Sequence, residues 1–133
     1  MSEMLSMEAI FSSSPREIFL AWLDSEAHSR FTGSPAKIDA RVGGAFTVWD
    51  GYICGVTLAL REPEQIVQSW RTTEFPEGSP DSRLELQFEP AEQGTRLRLV
   101  HTMIPDGQAA GYRQGWIDYY FSPMQHYFLN KET

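Results

Sequence analysis

A single cysteine, Cys54, stands among 133 residues, so no disulfide can close within the chain. That fits a reducing compartment, and a cytoplasmic location is expected. Cations are scarce too: 11 Lys and Arg face 18 Asp and Glu, a formal charge of −7. Duplex nucleic acid and anionic membranes need clustered cations, so neither is an expected partner. No window approaches eighteen apolar residues, so no helix is expected to span a bilayer. The opening Met1–Met7 lacks a basic region followed by an apolar run, and reads as no secretory leader.

Chemistry-bearing patterns are equally thin. The three histidines, His28, His101 and His126, have no paired spacing and no cysteine partner, so no metal site is expected. There is no glycine loop to cradle a phosphate and no nucleophile elbow. Cys54 has no base beside it and reads as a small buried hydrophobe facing inward. No residue is assigned a catalytic role, and no cofactor is implied.

The chain is richer in aromatic residues, at 13%. Many fall in one C-terminal stretch, where Tyr112, Trp116, Tyr119, Tyr120, Met124, Tyr127 and Phe128 recur at steps of three and four. This spacing predicts a long helix with one apolar face, roughly 27 Å over about eighteen residues. Pro123 lies inside it, lacking an N–H and crowding the preceding turn, so a kink is expected near Tyr119–Tyr120.

Upstream the period changes from helix to strand. Leu5, Met7, Ala9 and Phe11 alternate as a first strand. Ser14-Pro15-Arg16-Glu17 is a capping-box pattern opening a short helix with Ile18, Phe19, Trp22 and Leu23 on its apolar face. Asp24 or Ser25 caps a second short helix that ends near Phe31 and Gly33. Pro35–Val42 reads as a strand, Gly43-Gly44 as a turn, and Ala45–Trp49 as the next strand. Asp50-Gly51 is a strong hairpin signal. After it, Tyr52, Cys54, Val56, Leu58 and Leu60 share one face. Ile66, Gln68 and Trp70 share a face of the following strand. Phe75–Asp81 is a loop; beyond it Leu84, Leu86 and Phe88 point inward, as do Leu97, Leu99, His101 and Met103 on the last strand.

One strand, two short helices, about six strands joined by hairpins and one long helix describe a single α+β domain over residues 1–133. An antiparallel sheet of six or seven strands curls around the helix to bury its dry face. This is a helix-grip.

The order and spacing of Ser14-Pro15-Arg16-Glu17, Gly43-Gly44-Ala45-Phe46, Asp50-Gly51 with Gly55, Pro63-Glu64-Gln65-Ile66-Val67 with Trp70-Arg71, and Arg113-Gln114-Gly115-Trp116 with Tyr119-Tyr120-Phe121 carry a resemblance. The chain resembles the START-like (SRPBCC, pollen-allergen-like) superfamily. Within it, the chain is similar to the C-terminal domain of the activator of the heat-shock protein 90 ATPase. The resemblance implies that fold and, as one function, a co-chaperone module whose partner is a heat-shock chaperone. The eukaryotic co-chaperones carry a separate N-terminal docking domain, for which this chain has no room. The superfamily also includes small-molecule carriers and cyclases, and fold does not choose among them.

The leading expectation is a binding protein holding an apolar or aromatic small molecule between sheet and helix. Tyr52, Trp70, Leu86, Phe88, His101, Trp116, Tyr119, Tyr120 and Met124 would line its cavity, with Gln68, His101, Tyr112 and Tyr119 as orienting polar groups. The competing reading for Gln68 and His101 is that each satisfies a buried polar group. The alternative is the co-chaperone module, acting through the Phe75–Asp81 and Ile104–Ala110 loops and the outer helix face. A small cyclase or hydrolase dependent on His101 comes third. Oligomeric state, monomer or homodimer, is left open.

Overall fold

The computed structural model describes residues 2–131, and in it the seven strands form one curved antiparallel sheet. They are β1 (Ser2–Phe11), β2 (Lys37–Ile38), β3 (Ala45–Val48), β4 (Ile53–Arg61), β5 (Gln65–Thr72), β6 (Ser82–Ala91) and β7 (Gly94–Pro105), in the spatial order β1-β7-β6-β5-β4-β3-β2. Between β1 and β2 stand helices α1 (Pro15–Leu23) and α2 (Ser25–Thr32). Ser14 caps α1 by accepting the Glu17 N–H at 3.2 Å, and its hydroxyl donates to the Glu17 carboxylate rather than leaving that group to reach the backbone. Asp24 caps α2 by accepting the Ala27 N–H at 2.8 Å, and Gly33 ends it at φ 75.

The C-terminal rod is continuous but not uniform. It runs as α3 (Ala109–Gly115), a π-helical segment (Trp116–Phe121) and α4 (Ser122–Lys131). The expected kink at Pro123 is replaced by this widening. A regular α-helix would aim the Tyr119 carbonyl at a proline that has no N–H to donate. Instead the ladder lengthens to i→i−5, with the Ser122 N–H bonded to the Ile117 carbonyl. The extra residue shifts the helix's phase. Tyr112, Trp116 and Tyr120 face the sheet on the near side, and Phe121, Met124 and Phe128 take over beyond it. Tyr119, counted on the apolar face by periodicity, is left 59% exposed.

The core sits between this rod and the sheet. Phe128 and Phe121 meet Phe11 of β1 edge-on at 6.1 and 6.3 Å, while Phe19 of α1 meets Phe88 of β6 at 5.7 Å. Leu84, Leu86, Leu97 and Leu99 have no exposed surface. On the opposite side of the sheet, Arg98 pairs with Glu8 at 2.8 Å and Glu89 at 3.5 Å, a solvated charge network of little energetic weight.

Three local expectations are corrected. The Pro35–Val42 strand shrinks to Lys37–Ile38, because the chain turns at once: the Arg41 N–H bonds the Asp39 carbonyl and the Gly44 N–H the Arg41 carbonyl. On β4 the buried residues are Ile53 and Thr57, so the Tyr52–Leu60 face is the outer one at its start; Leu58 is 49% exposed and Cys54 only half-buried. A register shift between Thr57 and Ala59 resets the alternation, which is why Leu60 packs on the core again. On β7 a second shift, opposite Glu3–Leu5, places Met103 at φ 61 and outward, and Ile104 takes the buried position.

Candidate functional site

A cavity of about 700 Å³ opens between the near half of the C-terminal rod and the β3–β5 end of the sheet. Its size suits a small organic ligand. Trp70, on β5, forms the floor and tilts against Trp116 at 5.6 Å and edge-on to Tyr112 at 5.1 Å. Trp116 continues to Tyr120 at 4.9 Å. The far wall is Trp49, set edge-on to Tyr119 at 5.6 Å and Tyr120 at 6.1 Å. Trp49, Asp50 and Gly51 all have positive φ, at 55, 57 and 90. A tryptophan in that region is held against steric preference, and the turn thereby directs its ring at the helix.

The helix contributes space as well as rings. Gly111 and Gly115 lie one turn apart on the cavity wall. A Cβ at Gly111 would meet nothing within 4 Å, and one at Gly115 only the Tyr119 ring at 3.8 Å. No neighbouring element approaches Gly115. Its missing side chain is volume left to the cavity. Gly55 is the opposite case: a Cβ there would lie 1.9 Å from the Ser69 carbonyl.

The mouth is polar and bonded to itself. The Tyr52 hydroxyl donates to the Glu74 carboxylate, and the Gln108 amide donates to the Glu74 carbonyl at 2.9 Å. Tyr112 donates to Gln108 Oε1 at 2.6 Å, so its oxygen accepts from Thr72, 2.7 Å away. The Thr72 hydroxyl in turn accepts the Glu74 N–H at 3.1 Å. Burial and the Glu74 carboxylate push the Tyr52 phenol up to about 12, and burial raises Tyr112 as well. Both remain neutral donors near neutral pH.

Of the residues singled out from the sequence, Tyr52, Trp70, Tyr112, Trp116, Tyr119 and Tyr120 border this cavity. Leu86, Phe88 and Met124 stand outside it, fully or almost fully buried in the core beyond. Gln68 and His101 are also away from its surface, and both are engaged by the protein. The Trp22 indole donates to Gln68 Oε1 at 3.2 Å, and the Gln68 amide donates to Thr57 at 3.2 Å. The Trp116 indole donates to His101 Nδ1 at 3.2 Å, while Nε2 lies 2.8 Å from the Ser82 hydroxyl. Burial lowers the His101 pKa to about 3, so the ring is neutral. His28 is treated alike: its Nδ1 donates to the Trp22 carbonyl, Nε2 accepts from Tyr120, and burial lowers its pKa to about 4.

Sequence reasoning missed Trp49, Glu74, Gln108 and the two helical glycines. Trp49 reads as the end of a strand, Glu74 and Gln108 as loop polarity, and none carries a motif. Among the described residues no cluster of His, Cys, Asp or Glu could hold a metal ion, and no helix is long and apolar enough to cross a membrane.

The family described as "Activator of Hsp90 ATPase homolog 1-like protein" matches residues 12–128. The chain belongs to that family. Among relatives of this Hsp90-activator family, the human activator of 90 kDa heat shock protein ATPase homolog 1 is 31% identical over 124 residues, covering 93% of this chain and 36% of the human protein. The chain thus spans little more than a third of the length of the curated relatives it matches. A crystal structure of an HSP90 activator from Plasmodium falciparum superposes with a TM-score of 0.75 at 27% identity, covering 92% of this chain and 91% of that one. The solution structure of an Aha1 dimer from Colwellia psychrerythraea, 16% identical, shares the fold at a TM-score of 0.76 over 92% and 93% of the two chains.

Proposed function

We propose that this domain acts on a heat-shock protein 90 chaperone and modulates its ATPase. The observation that carries the reading is the likeness to the Plasmodium falciparum HSP90 activator, 27% identical over 92% of this chain and 91% of the chain in that crystal structure. The contact surface fits best around the cavity mouth. There the loop after β5 and the loop after β7 are tied together by the Gln108–Glu74 hydrogen bond, forming one rim. The opposite side of the sheet carries mutually paired charges. The reading is tested by co-elution of the purified protein with the chaperone of its own host, with and without ATP. Joint migration strengthened by nucleotide is the expected result. Separate migration under both conditions would remove the proposal.

A second reading is favoured by a separate observation, the aromatic cavity of about 700 Å³. In it the domain holds a small, largely apolar molecule between sheet and helix, with burial of apolar area as the driving force. The two readings are compatible, because a ligand seated under the rim alters the same loops that a chaperone would meet. Native mass spectrometry of the protein taken from its host checks the second: a stoichiometric extra mass is expected, and a bare polypeptide after gentle isolation counts against it.

A further inference from the structure

The cavity has a charge character as well as a shape. Its walls are aromatic faces and edges, and its lining includes no Lys, Arg or His. The one carboxylate on that lining is Glu74, at the mouth. Among the described residues Glu74 forms no ion pair with a cation; the nearby Arg71 is committed to Asp81 at 2.7 Å and lies over the Phe75 ring. Tyr52 and the Thr72–Tyr112–Gln108 chain fix the Glu74 side chain and backbone in place.

Aromatic rings present negative faces. Several of them around one carboxylate form a field that attracts a cation whose hydration shell is weak, and repels an anion. A strongly hydrated ion such as Na⁺ gains too little from rings to shed its water. An organic cation, with charge spread over carbon, does not face that cost. The net charge of −7 adds a general attraction for cations approaching the mouth. Trp49, held at φ 55 and set edge-on to Tyr119, brings an indole ring to the cavity wall, and indole attracts a cation more strongly than the other aromatic side chains.

We propose that the cavity takes a flat organic cation, an N-alkylated heteroaromatic compound, with its apolar body against Trp70 and Trp116 and its charge between Trp49 and Glu74. This rests on the second reading above, that the cavity holds a small molecule. The preference for positive charge is the added claim.

The test compares two probes of nearly equal shape, N-methylquinolinium and its neutral isostere 1-methylnaphthalene, by quenching of tryptophan fluorescence at low salt. The cation binds at least about tenfold more tightly than the neutral compound. Raising the salt concentration weakens the cation selectively, and Glu74→Gln lowers the cation's affinity and narrows the ratio. Equal or tighter binding of 1-methylnaphthalene to the unaltered protein overturns the charge assignment while leaving the cavity reading standing. Binding of neither probe overturns both. The decisive comparison uses the unaltered chain, so it does not depend on the variant folding.

Discussion

His101 and Trp116 are joined by a hydrogen bond that fixes the histidine's protonation state: the indole N–H, 3.2 Å away, donates to Nδ1. An indole nitrogen can only donate, so Nδ1 carries no proton. The proton is therefore on Nε2, facing Ser82, whose own hydroxyl donates to the Trp70 carbonyl at 2.5 Å. A directed chain runs from the helix, through β7 and β6, to the strand that floors the cavity. Protonating His101 would set two donors against each other.

Acid should therefore destabilise this fold well before its carboxylates are neutralised. His101 and His28 titrate at about 3 and about 4 in the folded protein, both lowered by burial, against about 6.5 when unfolded. Below pH 6.5 the unfolded chain takes up protons that the folded one excludes. Stability falls as the pH drops from about 6.5 towards 4, by up to about tenfold in the unfolding constant per pH unit for each histidine. The urea midpoint, measured between pH 7.5 and 5, should fall steadily. A flat profile would show that these rings are not held neutral.

Leu86 belongs to the core and lies outside the cavity. It pairs with Ile66 and Leu99 across neighbouring strands and has no exposed surface. Leu86→Trp should lower stability by about 1–3 kcal/mol or more through overpacking. Gly115→Leu instead places its side chain over the cavity wall, so it should block fluorescent probes while the melting temperature holds. Normal stability in Leu86→Trp would contradict this division between core and cavity.

Two glycines should respond in opposite directions to the same change. Gly115→Ala removes a helical glycine with no steric cost, and a gain of about 0.5–1 kcal/mol is expected. Gly55→Ala forces a methyl into the Ser69 carbonyl and the Phe46 ring, so β4 and β5 must separate and a loss of several-fold that size should follow. Thermal denaturation of the pair reads both. A gain at Gly55 would mean that the strands are not so closely apposed.

The helix-grip was legible because its signals are periodic. Alternation in β1, β5 and β6 and the three-four spacing of the C-terminal aromatics each repeat over enough residues to outweigh noise. The errors arise where a period is interrupted. The bulges at Thr57–Ala59 and near Met103 each insert one residue, which turns every later side chain to the other face. The π-helical segment does the same for the rod and sets Tyr119 on its exposed side. About half of the cavity's residues could be named in advance, because large aromatic side chains at a sheet–helix junction are conspicuous. Trp49, Glu74 and Gln108 could not. Their roles depend on a left-handed turn and on contacts between loops remote in sequence. His101 and Gln68 look like ligand groups in the sequence because they interrupt apolar faces; in the fold, Trp116 and Trp22 occupy them.

The most direct test of the account is the steady-state ATPase rate of the host's heat-shock protein 90 as this protein is titrated in. The rate should rise and saturate at a defined stoichiometry. An ATPase rate unaffected by excess protein, under conditions where the chaperone responds to a known activator, would contradict the proposed role.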